Sequence, residues 1–188
     1  MRKGKTGSTA PAAASHGGSR VVVNRAPVLT LWATIVAQRL GFSRDEALTL
    51  GRVVAGLNAY AKGRSLGIFK PSPKELRGKR AAPGEVVHVD LLHRAVPVTH
   101  TPEGLRALSK DQPVSPQSVQ RYLQGKFGAA LGAVEQALLA LANSLPPEEL
   151  AQQAYELYEA FRPQVPPGVS GWGASGVLDL ARVRALAH

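Results

Sequence analysis

Two groups of side chains in this sequence have the chemistry to hold a partner. The first lies between Lys62 and Gly84, where Lys62, Arg64, Lys70, Lys74, Arg77, Lys79 and Arg80 stand against a single acid, Glu75. Four glycines and three prolines in the same stretch argue against regular structure and predict a basic loop over 62–84. Cations on irregular backbone suit phosphates, because that attraction rests on counterion release and tolerates loose geometry. The plainer use of the same residues is to keep a small protein in solution.

The second group lies at 101–127. Thr101-Pro102 has the form of a cap and first-turn pair, which predicts a short helix over Glu103–Lys110 with Leu105 and Leu108 facing inward. Asp111–Val114 reads as a turn. Ser115-Pro116 then repeats the cap-and-proline start for a helix over Pro116–Phe127, whose inner face is Val119, Tyr122, Leu123 and Phe127. Its outer face carries Gln117, Ser118, Gln120, Arg121, Gln124 and Lys126. Amides and hydroxyls beside an arginine can pair with base edges in the major groove, whereas a merely solvated helix more often carries Glu and Lys. The unit resembles a helix-turn-helix DNA-binding element with Pro116–Phe127 as its recognition helix. Two capped helices at a corner also occur throughout helical proteins as plain structure.

Other chemistry finds less material. His88, His93 and His100 with Asp90 are metal ligands in kind but not in spacing, since no helical His-x-x-x-His pair fixes two of them on one face. No metal and no cofactor are expected. The sequence has no glycine-rich phosphate loop of known spacing, no nucleophile elbow and no convergent carboxylate pair. Only a Ser/His/Asp site assembled in space would leave no linear trace, so the reading leans away from an enzyme.

The elements that must position these groups are mostly helical. Pro27–Leu40 is apolar on every side except a stripe of Thr30, Thr34 and Gln38, which predicts a central helix. Ser43-Arg44-Asp45-Glu46 is a capping box for a second helix with Leu50, Val53, Val54 and Leu57 in phase, and Gly51, Ala55 and Ala59 leave one side thin. Together 27–62 forms a central αα-hairpin. Val87, Val89 and Leu91 alternate with polar residues and Ala95–Thr99 can return, predicting a β-hairpin at 85–99 with Pro97 on an edge strand. Helices at Leu131–Ala142, from Pro146-Pro147 to Phe161, and at Leu178–Leu186 fill 128–188, with Trp172 docked between glycines. Residues 1–20 are a basic tail expected to be disordered, and Val21–Val23 is a short strand or a lead-in. The expected fold is mainly α: a single helical, bundle-like domain over 21–188, organised on the αα-hairpin, with one small β-hairpin.

The runs Pro27–Ala33, Arg39–Phe42, Asp45–Gly51 and Val54–Gly63 resemble a family of small uncharacterised bacterial proteins. The resemblance extends towards the Ser115–Phe127 helix and the Gly171-Trp172-Gly173 turn, and it implies no activity and no site residue.

Composition limits the function classes. The chain has 188 residues and no cysteine, which removes disulfides and thiolate metal sites. No apolar run approaches the ~20 residues of a membrane span, and a cytoplasmic protein is expected. Net charge is +10, and residues 1–82 hold fifteen of the 23 basic groups and three of the 13 acidic ones. So one-sided an excess is the footprint of a polyanion. The expected function is therefore non-catalytic binding of nucleic acid, double-stranded DNA first, through the basic loop and tail and the 101–127 unit. The alternatives are a protein-interaction adaptor, with a protein partner or a second copy of itself, and an enzyme with a spatially assembled site.

Overall fold

A helix that is apolar all round must be covered all round, and α1 (Arg25–Arg39) is: its eleven residues Pro27 to Ala37 are all buried. The computed structural model describes residues 19–65, 85–169 and 174–188. Helix α2 (Arg44–Ser65) returns antiparallel to α1 after a short turn. The Thr30/Thr34 part of the polar stripe is the seam between the two helices. Each threonine satisfies its hydroxyl on its own helix, Thr30 on the Ala26 carbonyl at 2.9 Å and Thr34 on the Thr30 carbonyl at 2.7 Å. Gly51 of α2 lies against them so closely that a Cβ there would stand 2.3 Å from the Thr34 hydroxyl oxygen. Only glycine admits that approach.

The mainly-α expectation is overturned by the middle of the chain. Strands β2 (Val86–Leu91), β3 (Arg94–Thr101), β4 (Gly104–Ser109) and β5 (Gln112–Pro113) form a four-stranded antiparallel sheet in sequence order, and β1 (Arg20–Val23) pairs with β6 (Gly176–Asp179) in a second, two-stranded sheet. The architecture is α+β. The β2–β3 hairpin turns on Leu92 and His93, both at positive φ (48° and 58°), which matches the right-handed twist of the flanking strands. Neither residue favours that conformation, which costs on the order of 1 kcal/mol or more each. Leu92, almost fully buried, offsets it by roughly 1.5–3 kcal/mol of apolar burial.

The helix expected over Glu103–Lys110 is strand β4, and Thr101 is the last residue of β3, its hydroxyl donating to the Gly104 carbonyl across the turn at 2.8 Å. The reason is burial on both faces. Leu105, Arg106, Ala107 and Leu108 are all buried, so the alternation that marks a half-exposed strand is missing and the Leu105/Leu108 spacing imitates a helix. A third two-residue turn, Lys110-Asp111, with φ of 49° and 65°, then carries the chain into β5. Pro97 also differs from expectation: β3 is an inner strand, and its ladder to β4 begins only at Val98.

Helix α2 holds the sheet. Both halves of the capping box form, the Ser43 amide donating to Glu46 at 3.0 Å and the Glu46 amide to the Ser43 hydroxyl at 3.3 Å. The second Glu46 oxygen accepts the Leu105 amide at 3.0 Å, and the Thr49 hydroxyl accepts the Ala107 amide at 3.0 Å while donating to the Glu46 carbonyl. Alternate amides on one edge of β4 thus end on side chains of a helix.

Among the described residues four further α-helices follow: α3 (Pro116–Phe127), α4 (Leu131–Asn143), α5 (Pro147–Phe161) and α6 (Leu180–Leu186). Helix α1 packs against α2, α3, α4 and α5. Trp32, fully buried, donates its indole N–H to the Ala154 carbonyl of α5 at 2.8 Å and meets the Phe161 ring edge-on at 5.3 Å. Of the expected tail only Ser19 and Arg20 lie among the described residues, and Arg20 already belongs to β1. Trp172 lies outside them. No described helix is long and apolar enough to cross a membrane.

Trp32→Ala should cost roughly 3–5 kcal/mol in urea denaturation, from the lost burial and the cavity left behind. An unchanged midpoint would place the ring elsewhere than at the centre. Glu46 gives a second expectation. The amides of Ser43 and then Leu105 hold its carboxyl below the ordinary range against a smaller opposing effect of burial, and Arg106 adds to the lowering. A lowered folded-state pKa contributes stability that is present above the ordinary carboxylate pKa and is lost as pH falls through the lowered one. Wild type should therefore lose more stability between about pH 6 and about pH 3 than Glu46→Gln, as read from thermal melts across that range.

Candidate nucleic-acid interface

Helix α3 starts where the sheet ends. Val114 donates its amide to the Ala107 carbonyl at 2.9 Å, and the next residue, Ser115, is the cap whose hydroxyl accepts the Ser118 amide at 3.3 Å. Pro116, Val119, Leu123 and Phe127 bury one face of α3. Gln117, Ser118, Arg121, Gln124 and Lys126 are exposed on the others. The Ser118 hydroxyl donates to the Ser115 carbonyl at 2.9 Å, which leaves it to act outward as an acceptor. No acidic residue occurs in the sequence from Gln112 to Val134.

Two residues of the expected site have other duties. Gln120 accepts from Arg44 of α2 at 3.2 Å. The same guanidinium donates to Gln38 of α1 at 3.2 Å and to Glu135 of α4 at 2.9 Å, so one arginine ties four helices and Gln120 is a fastening rather than a reader. Tyr122, expected in the inner face, is half-buried with its ring towards the rim. Arg52 of α2 lies over that ring, 4.2 Å from its centroid, and the Lys126 ammonium approaches to 5.9 Å. Burial raises the Tyr122 hydroxyl above its ordinary pKa, with Arg52 pulling part of the way back, so the ring stays neutral and its face attracts cations. Arg52 is exposed and extends the cationic surface from α3 onto α2. It is the residue hardest to find in the sequence, because only the packing of α2 on α3 brings it to Tyr122.

Lys62 and Arg64 belong to the last turn of α2. Lys70, Lys74, Arg77, Lys79 and Arg80 lie outside the described residues. The first helix of the expected helix-turn-helix unit is absent, since strand β4 occupies its place, and α3 is presented by the β4–β5 hairpin instead.

The three histidines do not converge. His88 and His100 are exposed on β2 and β3, while His93 in the hairpin turn meets Glu156 of α5 at 3.0 Å and the Tyr155 ring at 5.7 Å. Among the described residues no three His, Asp or Glu side chains gather as metal ligands would. Compared with protein-family models, curated proteins and solved structures, the chain matches none.

Arg44→Ala should cost about 1–2 kcal/mol, because it strands one carboxylate and two amide oxygens that are only partly wet. Gln120→Ala should cost less than Arg44→Ala in the same denaturation experiment. Equal effects would mean that the arginine has no other useful partner.

Proposed function

We propose that the protein binds nucleic acid, duplex DNA in the first instance, through the exposed face of α3 extended by Arg52. The observation that carries this reading is the composition of that face: amides, a hydroxyl and cations, with no carboxylate across the 23 residues from Gln112 to Val134. At about 1.5 Å per residue a helix of this length spans about 18 Å, enough to lie along a major groove. Arg121, Lys126 and Arg52 would meet phosphates, and Gln124 and Gln117, whose amide oxygen now accepts from the Ser115 hydroxyl at 3.2 Å, would reach base edges. Arg121 has the reach for either role. The basic stretch that begins at Lys62 would supply the sequence-independent share of affinity. A cytoplasmic, nucleoid-associated location goes with this reading.

The support is electrostatic and geometric together. A basic excess alone also suits a solvated surface, but a solvated helix has no need to exclude acids while keeping glutamines.

Labelled duplex should bind with an affinity that falls linearly in log affinity against log salt. Neutralising Lys74, Arg77, Lys79 and Arg80 together should flatten that slope by up to about four and weaken all duplexes alike. Arg121→Ala should act on discrimination between sequences, by about 1–3 kcal/mol if it meets a base edge. Arg52→Ala should lower affinity without changing sequence preference. Absence of salt-dependent binding to any duplex or single strand at about 50 mM salt would end the nucleic-acid reading and favour a protein partner.

A further inference from the structure

A second cationic site lies away from α3, where the β1–β6 ribbon meets the end of α5 and the start of α6. There a cleft of about 260 Å³ is lined by Arg20, Arg162, Arg182, Gln164 and Asp179, with Phe161 and Val177 as its apolar wall. Three arginines and one aspartate line it, and an oxygen of that carboxylate is already engaged, accepting the Ala181 amide at 3.0 Å as the cap of α6. Arg20 is the cross-strand neighbour of Asp179, yet no ion pair joins them among the described residues. Within the same residues, neither Arg20 nor Arg162 nor Arg182 has a side-chain hydrogen bond or ion pair.

The backbone around the cleft is fixed. Gln164 and Val177 exchange both amide bonds, at 3.0 and 2.9 Å, adding a bridge to the ribbon. Gly176 makes this possible, since a Cβ would stand 2.9 Å from the Pro163 Cβ and 3.0 Å from the Gln164 carbonyl oxygen. Arg25 donates to the Pro163 carbonyl at 3.0 Å and locks the same segment from behind. Burial and then the repulsion of Arg162 pull the Arg25 guanidinium below its ordinary pKa, with Tyr158 opposing part of the way.

From this geometry we infer that the cleft binds a small phosphate monoester. A doubly charged phosphate suits several guanidinium forks at once, and the space beside Val177 takes an apolar or flat substituent that inorganic phosphate lacks. The Gln164 side-chain amide donates one N–H to the Arg162 carbonyl at 3.2 Å and has a second for the same group. This site is independent of α3 and stands whether or not the protein binds DNA.

Phenyl phosphate is the direct probe, titrated calorimetrically at constant ionic strength beside inorganic phosphate and benzoate. It should bind saturably, more tightly than either. Arg20→Gln and Arg182→Gln remove exposed side chains that hold nothing else, so the melting temperature without ligand should stay unchanged while each weakens phenyl phosphate by about ten-fold. Arg182→Lys, which keeps the charge and loses the fork, should fall between. Arg121→Gln should leave this binding intact. The same ester also occurs at the end of a nucleic-acid strand, so a short oligonucleotide with and without a 5′-phosphate forms the second arm. Equal affinity for the two assigns the cleft to a free ester, and a preference for the phosphorylated end that Arg182→Gln abolishes assigns it to a strand terminus. No saturable binding of phenyl phosphate up to about 10 mM, or wild-type binding by Arg20→Gln and Arg182→Gln, would overturn the inference.

Discussion

The edge of β4 cannot be left unpaired, and two side chains of α2 meet that constraint. An unpaired buried amide costs about 1–3 kcal/mol, and the Leu105 and Ala107 amides would be two of them without Glu46 and Thr49. The same glutamate starts its own helix, so helix initiation and sheet docking are one event at one carboxylate. The segments C-terminal to β4 inherit this placement. β4 leads through a two-residue turn to β5 and directly into the Ser115 cap, with no slack between the sheet edge and the face of α3.

The contact between α1 and α2 is of a different kind. It depends on absence, on the missing side chain of Gly51 and on threonines that turn their hydroxyls back to their own helix. Close backbone approach lets α1 sit deep enough to touch four other helices and to offer Trp32 an acceptor on α5. Polar residues in a helix centre usually mark the wet side. Here they mark the tightest packing, because a hydroxyl satisfied within its own helix presents mostly its methyl and its small bulk to a neighbour.

The features legible in the sequence are local ones. The capping box at Ser43, the Ser115-Pro116 start and the outer face of α3 apart from Gln120 each depend on residues within a turn of one another, and each stands in the structure. Strand β4 is illegible because it is buried on both faces, which erases the period that separates strand from helix. Pairings between distant segments leave no local signal at all. Arg52 on Tyr122, Arg44 across four helices and the arginine cleft at the β1–β6 ribbon are of that sort, and so the sequence can suggest a cationic protein without showing where its cations meet.

The β1–β6 ribbon joins Arg20–Val23 to Gly176–Asp179, and that pairing bears on how the chain is made. During synthesis α1 emerges early, while the helix that accepts the Trp32 N–H, the Pro163 carbonyl that receives Arg25 and the strand that pairs with β1 all emerge more than a hundred residues later. Over that interval α1 is covered in stages, by α2 first and by α3 and α4 later, and its side towards α5 is covered last. Long-range closure of this type slows folding and lengthens the exposure of apolar surface, so the side of α1 that α5 covers waits for the C-terminal part of the chain to leave the ribosome.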